Sequence, residues 1–196
     1  MEYNNINPNN RMITKNDDII FGYIGSILRH KGVHLIVKAL KYIKNQKIQV
    51  KIFGKHYSHQ KDYYQNIRYS IEDDSRIKLF GEFKDEELPI IMNKVDYTIA
   101  PSIWWENSPL SVLLSLAFKV PVLTNNIGGA AELINDGING FNFEIGNPRN
   151  LASIIQKIQE KPEILNNLKN NIFRPPRIEE EGFEYGKIYF NLIKKL

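Results

Sequence analysis

Short apolar runs that stop at glycine, each followed by a stretch with helical spacing, recur along most of this chain and confine it to few folds. Ile19–Ile24 is closed by Gly25, Ile48–Phe53 stops at Gly54, and Arg76–Phe80 stops at Gly81. Asp96–Ala100, Val120–Thr124 and Gly140–Glu144 complete the predicted strands. Between them, Val33–Ile43 places apolar residues at 33, 36, 37, 40 and 43, the period of one helix face. Lys61–Ile71, a segment from an Asp85 N-cap through Lys94, Pro109–Phe118, Gly129–Ile134, Pro148–Lys161 and Pro162–Phe173 are predicted helices. Strands alternating with helices demand parallel pairing, with helices on both faces of the sheet. Right-handed crossovers then set every strand's carboxyl end along one rim.

The predicted fold class is therefore α/β, a doubly wound parallel sheet with a trailing C-terminal helix. That last helix, Ile178–Leu196, follows the Pro175-Pro176 break and carries acids early and lysines late, as its dipole favours. Met1–Asp18 is rich in Asn and lacks periodicity, so it reads as a flexible leader. The expected division is a leader over 1–18, a Rossmann-like domain over 19–173, and a linker with its helix over 174–196.

A chain of 196 residues can bury a sizeable core. It has no cysteine, which excludes a disulfide framework, a thiolate nucleophile and any Cys-based metal site. No apolar run approaches the roughly 18 residues that span a bilayer. Basic residues exceed acidic ones by 26 to 22, a mild excess that favours phosphate-bearing ligands or peripheral association with an anionic membrane. Lysines are scattered among acids, so a nucleic-acid partner is not expected. The four histidines, His30, His34, His56 and His59, form no metal set. The expected location is cytoplasmic, in solution or at the membrane surface.

Ligands of open parallel sheets bind in the crevice at the carboxyl ends of the strands. Two such ends carry chemistry here. The first is Gly25-Ser-Ile-Leu-Arg-His-Lys-Gly32, a basic turn before a helix start, where backbone N–H groups, the helix dipole and Lys31 or Arg29 favour an anion. The second is Pro101–Glu132, with Trp104-Trp105-Glu106 after one strand and Gly128-Gly129 after the next. Asn107 and Ser108 are the expected N-caps of the Pro109–Phe118 helix. Glycines at 128 and 129 allow a close backbone approach with free N–H donors. For the tryptophans two readings stay open, burial in the core or the lining of a sugar pocket or domain seam.

Gly25–Gly32 resembles the G-[RS]-x-x-x-x-K-G turn that opens the C-terminal domain of GT-B glycosyltransferases, specifically the family 4 (group 1) retaining enzymes. Phe53-Gly54, the passage Ile77–Ala100 ending in Pro101-Ser102, Glu106–Val122 and Gly128–Phe141 match further motifs of that family in order. Ile178–Ile193 resembles its terminal segment, so the likeness covers residues 19 to 195.

The resemblance implies a donor-binding half of a retaining glycosyltransferase that moves a hexose from a nucleotide-sugar, such as a UDP- or GDP-hexose, to a glycan or lipid. In such enzymes the carboxylate matched by Glu106 lies at the donor sugar hydroxyls and serves catalysis, and the ammonium matched by Lys31 holds the diphosphate. Gly25, Ser26, Arg29, Asn107, Ser108, Pro109, Leu110, Gly128 and Gly129 complete the expected substrate-binding set. Ser26 stands where a basic residue is often found, leaving Arg29 or Lys55 to compensate. The family's second glutamate, a ribose ligand, falls on Leu114, which accepts no hydrogen bond. No metal and no cofactor are implied, and the acceptor domain is expected from elsewhere, including a separate polypeptide. A non-catalytic nucleotide-sugar or regulatory module, weakened by Leu114 and Ser26, remains the alternative.

Overall fold

The computed structural model describes residues 11–176 and 178–194. Six strands form one all-parallel sheet in the order β3-β2-β1-β4-β5-β6. They are β1 Ile19–Ile24, β2 Ile48–Phe53, β3 Ile77–Gly81, β4 Tyr97–Ala100, β5 Val122–Asn125 and β6 Gly140–Phe143. The helices are α1 Val33–Leu40, α2 Lys61–Ile71, α3 Leu88–Met92, α4 Leu110–Ala117, α5 Gly128–Leu133, α6 Pro148–Glu160, α7 Ile164–Asn170 and α8 Ile178–Ile193. This is the α/β doubly wound sheet, Rossmann-like and with a trailing helix, that the alternating pattern predicts.

Local chemistry explains the elements. Val33, Ile36, Val37 and Leu40 fall on one side of α1 and are all buried. Each such side chain contributes about 2 kcal/mol of apolar burial. Helix α6 starts where Asn147 accepts from the N–H groups of Arg149 and Asn150 at 3.0 and 3.1 Å, with Pro148 preset for the first turn. The central strands are buried on both faces, whereas edge strand β3 alternates and exposes Phe80.

The segment expected to be a helix from Asp85 to Lys94 is split. A 3-10 turn spans Asp85–Glu87 before α3, and its cap is the N–H of Lys84 donating to the Glu87 carboxylate at 2.8 Å, not Asp85. Asn107 and Ser108 do not cap α4 either. Its N-cap is Pro109, with no side-chain cap bond. A buried relay fixes α4 instead: the Thr98 hydroxyl donates to Ser115 Oγ at 2.8 Å, and Ser115 donates on to the Ser111 carbonyl at 2.6 Å.

The leader needs correction. From Arg11 onward it is packed, with Ile13 in the main apolar cluster. Arg11 Nη1 pairs with the fully buried Asp96 at 2.7 Å, and Asp96 also accepts from the Ile20 N–H at 2.8 Å. Lys169 of α7 reaches the Arg11 carbonyl at 2.9 Å. The lack of periodicity had a physical source, since side-chain ties rather than a regular element hold this stretch. Residues 1–10 lie outside the described residues, as do the last two of the predicted C-terminal helix. No helix among the described residues is long and apolar enough to cross a membrane.

The strand order reverses between β1 and β4, which are neighbours in the sheet, Phe21 pairing with Tyr97, although 78 positions separate their first residues, Ile19 and Tyr97. In doubly wound sheets that reversal opens a crevice above the carboxyl ends. The loops leaving Ile24 and Ala100 face each other across it.

Candidate functional site

A cavity of about 400 Å³ occupies this crevice. Its floor is the ends of β1, β4 and β5, through Tyr23, Ala100 and Thr124. Lys31 enters from the β1–α1 loop and Glu106 from the β4–α4 loop. Their side chains meet, Lys31 Nζ donating to Glu106 Oε1 at 2.8 Å, with 32% and 20% of each exposed.

Two ties align the loops that carry this pair. The His30 carbonyl accepts from the Ile103 N–H at 2.8 Å and from Ser102 Oγ at 3.3 Å. Across the sheet, Thr124 Oγ1 donates to the Ala100 carbonyl at 3.0 Å, and Asn125 Nδ2 donates to the Ser102 carbonyl. Behind Glu106, the Gly129 N–H donates to the Glu106 carbonyl at 2.8 Å. A Cβ on Gly129 would collide with the Asn107 carbonyl, so only glycine lets α5 start this close to the loop. Gly128 and Gly129 therefore brace the Glu106 backbone. The expected free N–H of Gly129 is already spent.

Burial pushes the Glu106 carboxyl upward. Hydrogen bonds from Lys31 and Ser102, with the charges of Lys31 and His30, more than offset this and hold it below the usual carboxylate range. Glu106 is thus an anion throughout the neutral range. Tyr23, mostly buried beneath it, donates its hydroxyl to the Ser26 carbonyl at 2.7 Å, and burial first, then Tyr63 and Glu106, raises its pKa.

Of the residues predicted from sequence, Gly25, Ser26, Lys31, Glu106, Ser108, Pro109 and Leu110 line the cavity. Arg29, Asn107, Gly128 and Gly129 do not. Arg29 lies in a 3-10 turn with Lys31, and at three residues per turn positions two apart point different ways. Its guanidinium sits over the Tyr63 ring, 5.4 Å from the centroid. Lys55 pairs with Glu82 at 3.0 Å, also off the cavity. Neither basic group compensates for Ser26 in this arrangement. Both tryptophans are exposed, so the core reading fails for each. Leu114 does line the cavity and packs on the apolar cluster of Phe53, Leu88 and Phe118.

Sequence reasoning missed Phe83, Asp85, Thr124, Asn125 and Ile127 of the lining. Strand ends announce Thr124 and Asn125, but nothing in the local pattern brings the β3–α3 loop to this crevice. Among the described residues no group of three or more His, Asp or Glu side chains is placed to hold a metal ion. His34 and His56 are used elsewhere, on Tyr63 at 2.9 Å and in a stack on Tyr64. Chemically, the cavity offers an ammonium and an ionised carboxylate side by side, suited to a ligand with an anionic group next to hydroxyls.

The fold is a doubly wound α/β domain with a candidate ligand cavity at the strand-order reversal. The sequence model for glycosyl transferases group 1 matches residues 8–174, and the chain belongs to that family, a GT-B group of glycosyltransferases. An uncharacterised glycosyltransferase of Methanocaldococcus jannaschii is 26% identical over 170 residues, 86% of this chain and 46% of the relative. A UDP-Gal:alpha-D-GlcNAc-diphosphoundecaprenol alpha-1,3-galactosyltransferase of Escherichia coli is 24% identical, covering 80% of this chain and 40% of that protein. The chain thus spans less than half the length of these curated relatives. Among solved structures, Anabaena HepE in complex with UDP superposes with a TM-score of 0.74 at 23% identity, over 81% of this chain and 43% of HepE. The C-terminal domain of the group 1 family protein LpcC from Francisella tularensis gives 0.72 at 19% identity, over 79% of this chain and 82% of that domain.

Proposed function

We propose that this chain is the donor-binding half of a retaining glycosyltransferase that transfers a hexose from a nucleotide-sugar to a glycan or lipid acceptor. The observation that carries this reading is the meeting of Lys31 and Glu106 in one cavity at 2.8 Å. Their roles follow from charge. Lys31 neutralises the diphosphate, the leaving group whose negative charge grows as the glycosidic bond breaks. Glu106 accepts from adjacent hydroxyls of the donor hexose and fixes its orientation. The two groups satisfy each other across the cavity, and an incoming ligand substitutes a phosphate for one partner and hydroxyls for the other.

Two likenesses support the reading. HepE has been crystallised with UDP-glucose, and the LpcC domain that this chain matches over most of its length is a C-terminal one. The acceptor domain is assigned to a part of the enzyme outside this chain, on the same or another polypeptide. Turnover by the chain alone is therefore expected to be slight.

Calorimetric titration with UDP, GDP and their hexose conjugates tests the proposal. A UDP- or GDP-hexose is expected to bind, and Glu106→Ala to weaken it about tenfold, the loss of charge-assisted hydrogen bonds of about 1.5 kcal/mol or more. Failure of every nucleotide and nucleotide-sugar to bind would overturn it.

Leu114 sets a second expectation. It lines the cavity without offering an acceptor, so the nucleotide's ribose hydroxyls find none at this position. Leu114→Glu is expected to tighten UDP binding about tenfold, one added charge-assisted bond. Calorimetry on the two proteins checks this, and an unchanged or weaker affinity would show that the ribose does not lie against α4.

A further inference from the structure

Trp104 and Trp105 are adjacent and both exposed, at 65% and 73%. They differ in one respect: Trp104 lines the cavity that holds the Lys31–Glu106 pair, and Trp105 does not. Trp104 is also held in place. Its backbone N–H points to Ser102 Oγ at 3.4 Å, and its ring meets the His30 imidazole edge-on, with centroids 6.2 Å apart. The preceding residue, Ile103, is tied to the His30 carbonyl. Glu106, with a side chain only 20% exposed, lies deeper than this ring. A fixed, water-facing indole next to a carboxylate matches the two surfaces of a pyranose. The carboxylate accepts from hydroxyls, and the electron-rich ring face attracts the polarised C–H bonds on one side of the sugar.

We propose that Trp104 is the stacking platform for a second pyranose, the sugar of the acceptor glycan, at the cavity mouth beyond the hexose held at Glu106. The inference rests on the donor-site reading and extends it to the other substrate. A membrane surface fits this rim less well, because a flat headgroup layer would cover Trp104 and Trp105 alike, whereas only Trp104 lines the cavity. That Trp104 alone of the two lines the cavity also favours a small ring over a broad protein face, which would cover Trp105 equally.

The chain has two tryptophans in all, so its intrinsic fluorescence reports on this loop. Trp105→Phe leaves Trp104 as the reporter, and Trp104→Phe leaves Trp105. With UDP saturating, methyl β-D-glucopyranoside or maltotriose is expected to shift the emission of Trp105→Phe to the blue in a saturable, millimolar-range titration. Trp104→Phe is expected to give no saturable change. Trp104→Ala is expected to weaken maltotriose at least tenfold by calorimetry while UDP affinity stays within twofold of wild type and the melting temperature is preserved. Equal responses in the two phenylalanine variants, or none from Trp105→Phe with either saccharide, would overturn the platform. So would a blue shift seen with phosphatidylglycerol vesicles and not with saccharides. Absence of UDP binding, measured first by calorimetry, would instead remove the donor site and the platform with it, so the two failures are distinguishable.

Discussion

Lys31→Ala is expected to lower the affinity of this chain for UDP by about a hundredfold. Two effects add. The lost contact is a charge-assisted hydrogen bond to a diphosphate, a class that contributes up to about 3 kcal/mol. The substitution also strips Glu106 of its counter-ion. The remaining carboxylate, largely shielded from water, then faces the incoming phosphates with like charge. Lys31→Arg, which keeps the charge but changes its shape, is expected to fall between. Lys55→Ala is the control: Lys55 is an exposed lysine paired with Glu82 away from the cavity, and its loss is expected to change UDP affinity less than twofold. Calorimetry at one fixed salt concentration measures all three. A Lys31→Ala affinity within threefold of wild type would remove Lys31 from the phosphate site.

The second large effect is on the scaffold. Gly32 sits between Lys31 and α1 with φ +76°, and a Cβ there would run into the Pro101 carbonyl. Gly32→Ala is expected to cost about 1–2 kcal/mol for the left-handed backbone and a further 1–3 kcal/mol for the clash. At about 3 °C per kcal/mol for a domain of this size, the melting temperature falls by roughly 6–15 °C. Gly137→Ala separates the two costs. Gly137 has a similar φ of +73° but open space around it, so it pays only the backbone share. Because Pro101 opens the loop that carries Glu106, relief of the clash would also part Glu106 from Lys31. Gly32→Ala is therefore expected to weaken UDP binding at temperatures well below its melting point, whereas Gly137→Ala leaves binding intact. Equal melting temperatures for the two variants would show that the β1–α1 and β4–α4 loops do not need this close approach.

Much of the fold could be read before any coordinates. Buried parallel strands are continuous apolar runs, and Ile19–Ile24 and Ile48–Phe53 carry that mark unaltered into the sheet. Shorter or weaker signals shifted by a residue or two, as at Val122–Asn125 against the expected Val120–Thr124. What no local pattern encodes is which strands lie side by side. The juxtaposition of β1 and β4 brings Lys31 and Glu106 together, 75 positions apart, and only the resemblance to a known family linked them in advance. Apolarity alone likewise says little about where a residue goes. Trp104 and Trp105 are as hydrophobic as any core residue yet stand in water, and Arg29 was drawn to an aromatic ring whose position belongs to α2. Gly128 and Gly129 were legible as a tight approach, but the approaching group is the chain's own loop.

The Arg11–Asp96 pair has a practical consequence for anyone trimming this protein. The regular pattern begins at Ile19, which invites a start site there. A chain begun at that point would strand an anion beneath the sheet: Asp96, wholly buried and already pushed toward protonation by that burial, would lose its nearest cation. The damage would travel along a strand, since Asp96 enters β4 and the opposite end of β4 launches the loop that presents Glu106. A shortened variant that melts early and grips its ligand poorly would then be reporting a missing bolt at the back of the sheet, and not a flaw in the cleft itself.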